Sequence, residues 1–227
     1  MKVWTVVQPQ PSEELISNGI LTAQDLISYC ARVSNPANEM NTATADKLIR
    51  YLIKHKHWSP LEMVSATLGV KTTRDIGRQL LRHRSMSFQE FSQRYANPQD
   101  MDNAFVLREA RLQDLKNRQN SIVITDEKLQ REWDARQQKV IDAAKESYDW
   151  AIKNGIAKEQ ARAVLPEGNT VSRLFANATI RSWIHYIDLR TKNGTQLEHI
   201  QLARGIAREI AKIFPMVAEF DGSDQWI

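Results

Sequence analysis

Residues 82–95 concentrate side chains that could bind a charged ligand. The stretch opens with Arg82, His83 and Arg84, and the forked guanidinium donors of arginine suit phosphate oxygens. It is too polar for an ordinary core element. One interpretation is solvated surface, which is the usual state of charge-rich stretches, and the other is an anion-binding site.

Three further polar residues alternate within the same stretch. Glu90, Ser92 and Arg94 are each separated by one residue, and alternate side chains of an extended segment point to one side. A carboxylate, a hydroxyl and a guanidinium on one side can hold a polar ring and its phosphate. The pattern therefore indicates a nucleotide site.

The order of these residues also resembles a family signature. Residues 82–84 read Arg-His-Arg, seven residues intervene before Ser92, and Gln-Arg-Tyr follows at 93–95. This resembles the signature of flavin-dependent thymidylate synthases and its Ser-x-Arg-Tyr continuation. The resemblance implies conversion of dUMP to dTMP with FAD as cofactor and no covalent enzyme nucleophile. It also implies NADPH as reductant and methylenetetrahydrofolate as methylene donor, and a homotetramer with active sites at subunit interfaces.

Two more arginine blocks resemble the same family. Residues 162–166 read Arg-Ala-Val-Leu-Pro and resemble its Arg-x-Val-Leu-Pro, and residues 181–190 resemble its Arg-Ser-x-x-x-Phe-x-x-x-Arg helix. Arg190 occupies the position that binds and polarises the uracil ring, so it is the expected catalytic residue. Gln89 and His185 stand where the family commonly has Asn, which leaves open the geometry of the flavin pocket.

A block upstream resembles the family's His-x-Ser/Thr-Pro-Phe-Glu-His segment, with Leu61 and Met63 in place of its Phe and second His. In the family the first His and the Ser/Thr lie near the flavin, which implies the same for His57 and Ser59. A zinc site at His55 and His57 is the minor alternative, because no Cys or carboxylate cluster follows at ligand spacing. We expect no metal.

The expected ligand contacts follow from these blocks. The flavin-binding residues are His57, Ser59, Arg82, His83, Arg84, Glu90, Arg181 and His185, with Glu90 bridging the two ligands. The nucleotide-binding residues are Gln79, Arg82, Glu90, Ser92, Gln93, Arg94, Arg162 and Arg190.

Arg74, Arg78 and Arg82 recur every four residues on a helix predicted over 73–83, so they should lie near one face. We expect function at Arg82 and Arg84. For Arg74 we expect a structural ion pair, with Asp75 or Glu62 as partner.

The composition limits the class of protein. Hydrophobic residues make up 42% and charged residues 26%, and the net charge is +4, which suits anionic ligands but does not require nucleic acid. A single cysteine, Cys30, fits a cytoplasmic setting, and we expect it to be a small buried helix residue rather than a nucleophile. No apolar run suggests a membrane partner. Two alternatives stay open: a nucleic-acid-binding protein, and a family member that binds flavin and dUMP but has drifted in activity.

Hydrophobic periodicity predicts the elements that carry these residues. We expect one α+β domain over 1–227, with a small mixed or antiparallel sheet and a long-helix bundle. Residues 97–125 resist interpretation and are treated as a mobile insertion. The predicted strands cover 2–8, 63–71 and 169–178, and the predicted helices cover 23–33, 43–55, 73–83, 126–153, 157–165, 179–191 and 195–214.

Overall fold

A four-stranded antiparallel sheet lies at the centre of the computed structural model, which describes residues 1–220. Its strands are β1 (Lys2–Val7), β2 (Ser65–Thr73), β3 (Ser87–Glu90) and β6 (Val171–Thr179), in the spatial order β1-β2-β6-β3. The central pair joins segments about a hundred residues apart, with Ser65 opposite Thr179 and Thr73 opposite Val171. The strands β4 (Arg111–Gln113) and β5 (Ser121–Val123) form a separate hairpin.

One face of the sheet is buried beneath helices. On β2 the alternating residues Ala66, Leu68 and Val70 are fully buried, and Leu174 and Ala176 continue this face on β6. They join one core cluster with the apolar stripes of α2, α3, α7 and α8. The helices are α1 (Glu13–Ser17), α2 (Ala23–Ala31), α3 (Ala45–Lys54), α4 (Arg74–Leu80), α5 (Glu127–Lys153), α6 (Lys158–Ala161), α7 (Ile180–Arg190) and α8 (Leu197–Ile213).

The opposite face carries Trp4, which covers Gly69. A Cβ at Gly69 would lie 2.2 Å from the indole Cε2, so glycine is needed for this close approach. The Arg173 guanidinium lies 5.1 Å from the Phe175 ring centroid and 5.8 Å from that of Trp4.

The long helix α5 has a buried and an exposed part. The Asp126 side chain accepts hydrogen bonds from the backbone N–H groups of Lys128 and Leu129 and so caps its start. Toward its C-terminal end, Ile141, Ala144, Tyr148 and Ala151 are buried. Three large apolar side chains of the same helix are exposed instead: Trp133 at 41%, Val140 at 53% and Trp150 at 62%.

The α+β class predicted from the sequence is confirmed, and the boundaries differ at one place that matters for the site. Strand β2 continues to Thr73, and α4 ends at Leu80, so Arg82 lies in the turn beyond the helix. The prediction that Arg82 shares a helix face with Arg74 and Arg78 is therefore wrong.

Residues 97–125 are anchored rather than structureless. The Gln137 side chain on α5 accepts a hydrogen bond from Arg108 N–H (2.8 Å) and donates one to Arg108 C=O (2.9 Å). Asn169 likewise donates to Val106 C=O at 2.9 Å. Side-chain amides thus satisfy backbone groups of Val106 and Arg108 in a segment that has little regular structure.

Candidate active site

The signature histidine and the last residue of α7 form a hydrogen-bonded pair. Arg190 Nε donates to His83 Nε2 at 3.0 Å. His83 lies in the turn between α4 and β3, where its carbonyl accepts from Met86 N–H at 3.1 Å. Two blocks about a hundred residues apart in sequence therefore meet.

His83 is neutral in this arrangement. Burial, followed by the charges of Arg190, His185 and Arg82, lowers the pKa of His83 from 6.5 to about 4. A neutral imidazole can present a lone pair at Nε2, which is what the Arg190 Nε–H requires. The pair orients the guanidinium without neutralising its charge.

Arg82 and Arg84 flank this pair on an exposed turn. Neither has a carboxylate within ion-pair distance among residues 1–220. Two uncompensated guanidinium groups suit a diphosphate, so the donors present here fit the FAD that the resemblance implies.

Glu90, at the end of β3, is held by two groups. Its Oε1 accepts from Ser172 Oγ at 2.9 Å and lies 3.4 Å from Arg74 Nη1. Arg74 also lies 3.9 Å from Glu167. The structural role expected for Arg74 stands, but its partners are Glu90 and Glu167 rather than the expected Asp75 or Glu62, because β3 pairs with β6 beside the start of α4.

The prediction that Glu90, Ser92 and Arg94 point to one side of an extended segment is wrong. Strand β3 ends at Glu90, and the Ser92 carbonyl accepts from Tyr95 N–H at 3.1 Å, so the chain turns there. Ser92 Oγ accepts from Arg94 N–H at 3.3 Å. The turn directs Arg94 toward α6 instead of along the sheet.

The turn brings Arg94 to the Glu159 carboxylate, three residues before Arg162. Arg94 Nη2 lies 3.4 Å from Glu159 Oε2, and Arg162 Nε donates to the Glu159 carbonyl at 3.3 Å. Gln93, next to Arg94 in sequence, is 4% exposed, and its Nε2 has no hydrogen-bond partner in the described part of the chain. Ser92, Gln93, Arg94 and Arg162 thus form a second group of predicted nucleotide-binding residues.

The upstream block meets the start of α7. Arg181 Nε lies 3.6 Å from Glu62 Oε1, and Glu62 closes the short 3-10 helix that begins at Ser59. His57 is exposed, and so is His185 one turn along α7 from Arg181. These predicted flavin contacts lie on an accessible surface.

Sequence reasoning missed a buried histidine behind the site. His199 is fully buried, with Nδ1 at 3.0 Å from Gln79 Oε1 and Nε2 at 3.1 Å from the Tyr186 hydroxyl. The Tyr186 ring meets the His83 ring edge-on at 4.8 Å. The available signal was a histidine at a core position of a helix, which by itself suggests packing.

The structure also bears on three features of the chain, its single cysteine, metal-ligating side chains and membrane-spanning helices. Cys30 is half-buried in α2, and burial raises the pKa of its thiol. No three His, Cys, Asp or Glu side chains in residues 1–220 are grouped to hold a metal ion. Within the same residues, no helix has the length and apolar character to cross a bilayer.

Comparison with known proteins agrees with the signature. A family model described as thymidylate synthase complementing protein matches residues 15–216. A probable flavin-dependent thymidylate synthase of Paramecium bursaria Chlorella virus 1 is 48% identical over 204 residues, covering 90% of this chain and 93% of the relative. A flavin-dependent thymidylate synthase of a Synechocystis strain is 44% identical over 206 residues, covering 91% and 93%.

A solved structure shares the fold. The UMP/dUMP methylase PolB from Streptomyces cacaoi, bound with 5-Br dUMP, is similar with a TM-score of 0.78 at 29% identity, covering 96% of this chain and 93% of that chain. Together with the Arg-His-Arg turn and the Arg190–His83 pair, these relatives confirm the predicted resemblance: the chain belongs to the flavin-dependent thymidylate synthase family.

Proposed function

We propose that this protein converts dUMP to dTMP, with FAD as cofactor, methylenetetrahydrofolate as methylene donor and NADPH as reductant. The observation that carries the proposal is the Arg190–His83 pair, in which a half-buried guanidinium is oriented by a neutral imidazole. The relatives named above support the reaction, and one of them is named as a methylase of UMP and dUMP.

Arg190 is the catalytic residue in this scheme. Its Nε is engaged by His83, and its terminal nitrogens have no carboxylate within ion-pair distance among residues 1–220. A fixed positive charge stabilises negative charge that develops on the uracil ring and makes the ring carbon more nucleophilic. Because the guanidinium is already oriented, little reorganisation is needed at the moment of reaction.

The remaining residues bind and orient the ligands. FAD, when bound, supplies the hydride, and the protein contributes placement and charge. In this proposal Glu90 bridges the two ligands. The flavin is held by His57, Ser59, Arg82, His83, Arg84, Glu90, Arg181 and His185, and the nucleotide by Gln79, Arg82, Glu90, Ser92, Gln93, Arg94, Arg162 and Arg190.

No covalent enzyme nucleophile takes part in the proposed reaction. Cys30 is the one cysteine of the chain, and the raised pKa of its half-buried thiol opposes thiolate formation. A lone cysteine also suits a reducing compartment, and we assign the protein to the cytoplasm on that ground.

A homotetramer with shared active sites is part of the proposal, with residues 1–227 as one domain in each subunit. The two groups of nucleotide-binding residues lie on different segments, around Arg190 and around Glu159. Trp133, Val140 and Trp150 on α5 are large exposed apolar side chains, which are typical of surfaces that pack against another chain.

The test is dTMP formation from dUMP by the purified protein with methylenetetrahydrofolate and NADPH, with and without added FAD. We expect product that depends on FAD. Folded protein that yields no product in either condition contradicts the proposal. Tight, steeply salt-dependent binding of RNA or DNA by such a protein would favour the nucleic-acid alternative.

A further inference from the structure

A chain of hydrogen bonds runs from the largely buried Glu198 carboxylate to the buried centre behind the site. Gln196 Nε2 donates to Glu198 Oε2 at 2.9 Å, and Gln79 Nε2 donates to Gln196 Oε1 at 2.8 Å. Gln79 Oε1 faces His199 Nδ1 at 3.0 Å, and His199 Nε2 faces the Tyr186 hydroxyl at 3.1 Å. Five side chains from three helical segments thus form one continuous chain.

The hydrogen-bond chain begins at the Glu198 carboxylate, which two arginines hold in place. Glu198 Oε1 lies 2.6 Å from Arg111 Nη2 and 3.3 Å from Arg108 Nη1. Burial alone would raise the pKa of Glu198, but its own backbone N–H, the Gln196 amide and the two arginines together lower it. Glu198 is therefore ionised near neutral pH and can only accept hydrogen bonds.

This anion fixes the direction of every bond that follows. Gln196 must turn its NH₂ group to the carboxylate, which leaves its Oε1 to accept from the Gln79 NH₂ group. Gln79 then presents Oε1 to the histidine, so His199 must carry its proton on Nδ1. A neutral His199 with that tautomer has a lone pair on Nε2, to which the Tyr186 hydroxyl donates.

The surroundings keep His199 neutral. It is fully buried, and burial, with the charges of Arg190 and His83, lowers its pKa from 6.5 to about 3. The groups that face it are Gln79 from α4, Tyr186 from α7 and the His83–Arg190 pair beyond Tyr186.

We propose that His199 is a positioning residue, which holds the side-chain amide of Gln79 in the orientation that binds the nucleotide. The Glu198 carboxylate sets the direction of these hydrogen bonds through Gln196. One Gln79 N–H is used on Gln196, so the second is presented to the ligand in a set direction. At the other end of this hydrogen-bond chain, Tyr186 packs against His83, which in turn orients Arg190. This inference rests on the proposed function, because it assumes that Gln79 contacts dUMP.

The first test reads the tautomer of His199 without any ligand. The chain has five histidines, so ¹⁵N-histidine labelling, with His199→Asn used to assign the signal, resolves it. We expect the His199 ring to be neutral, with its proton on Nδ1, between pH 5 and 8, because the hydrogen bonds that start at Glu198 require this tautomer. An Nε2–H ring or a protonated ring in that range overturns the proposal.

The second test separates positioning from packing by dUMP titration calorimetry on three proteins. Asparagine can place an N–H donor where Nδ1–H lies, whereas leucine fills the space without one. We expect His199→Leu to bind dUMP about 10-fold to 100-fold more weakly and His199→Asn to stay within about 3-fold of the original protein. Both variants lose stability, which thermal melting monitors.

The outcomes are distinct. Equal dUMP affinity in both variants means that His199 only packs, and it overturns the positioning role. If the unchanged protein binds no dUMP, the proposed function itself fails, and this inference fails with it. Should His199→Leu not fold, the tautomer measurement and His199→Asn still decide, because weak dUMP binding by a folded His199→Asn contradicts the proposal.

Discussion

Replacing Arg190 by alanine removes the group on which the proposed mechanism depends most. The guanidinium is half-buried and pre-oriented by the 3.0 Å bond to His83. Removing one pre-organised charge stabiliser typically lowers kcat by about 10²–10³, or about 2.7–4 kcal/mol of transition-state stabilisation. We expect Arg190→Ala to keep FAD, for which we propose other side chains as the binding residues, and to lose turnover by at least ~100-fold.

The same variant has a consequence that does not depend on activity. After burial, the charge of Arg190 is the largest cause of the lowered pKa of His83. Removing that charge should raise the pKa of His83 from about 4 toward its ordinary value of 6.5, with burial still holding it below. The shift can be followed by NMR titration of the histidine rings.

Arg173→Ala is the matched control, because this arginine lies on the opposite face of the sheet beside Trp4 and Phe175. It should leave both turnover and the His83 titration unchanged. Near-normal dTMP formation by Arg190→Ala would remove Arg190 from the mechanism. An unmoved His83 pKa would show that the pair is not formed in solution.

Three further predictions concern the thiol, the buried histidine and the long helix. Cys30→Ser should form dTMP at the original rate, and inactivity with an intact circular dichroism spectrum would reopen a thiol mechanism. The pKa of His199 is about 3 in the folded protein and 6.5 ordinarily. Between these two pH values the unfolded chain binds a proton at His199 that the folded protein does not, so the free energy of unfolding falls as pH falls. In urea unfolding this histidine should contribute up to about 1.4 kcal/mol per pH unit, and a His199→Leu variant with an equally steep slope would refute the assignment. Val140→Glu, at a position 53% exposed on α5, should reduce the mass of the proposed oligomer in light scattering while the near-isosteric Val140→Thr does not. An unchanged mass for Val140→Glu would contradict an interface at this position.

Much of the fold followed from periodicity. The alternation of Ala66, Leu68 and Val70 predicted a half-buried strand, and the stripe on residues 195–214 predicted a helix against the core, because both patterns arise from neighbours along one chain segment. Boundaries were less accurate, as at Thr73, where pairing with Val171 on a distant strand extends β2. Residues 97–125 gave no periodic signal, and distant side-chain amides of Gln137 and Asn169 hold this segment at Arg108 and Val106.

The candidate site shows the same division. The sequence by itself determined which chemical groups are present, since the Arg-His-Arg turn and the arginine at the end of α7 are local and distinctive. Only the tertiary structure decided that Arg190 meets His83, that Arg74 pairs with Glu90, and that Ser92 lies in a turn. The direction of the bonds at His199 depends on the Glu198 carboxylate through Gln196 and Gln79. The link through Gln79, more than a hundred residues earlier in the sequence, exists only in the folded chain.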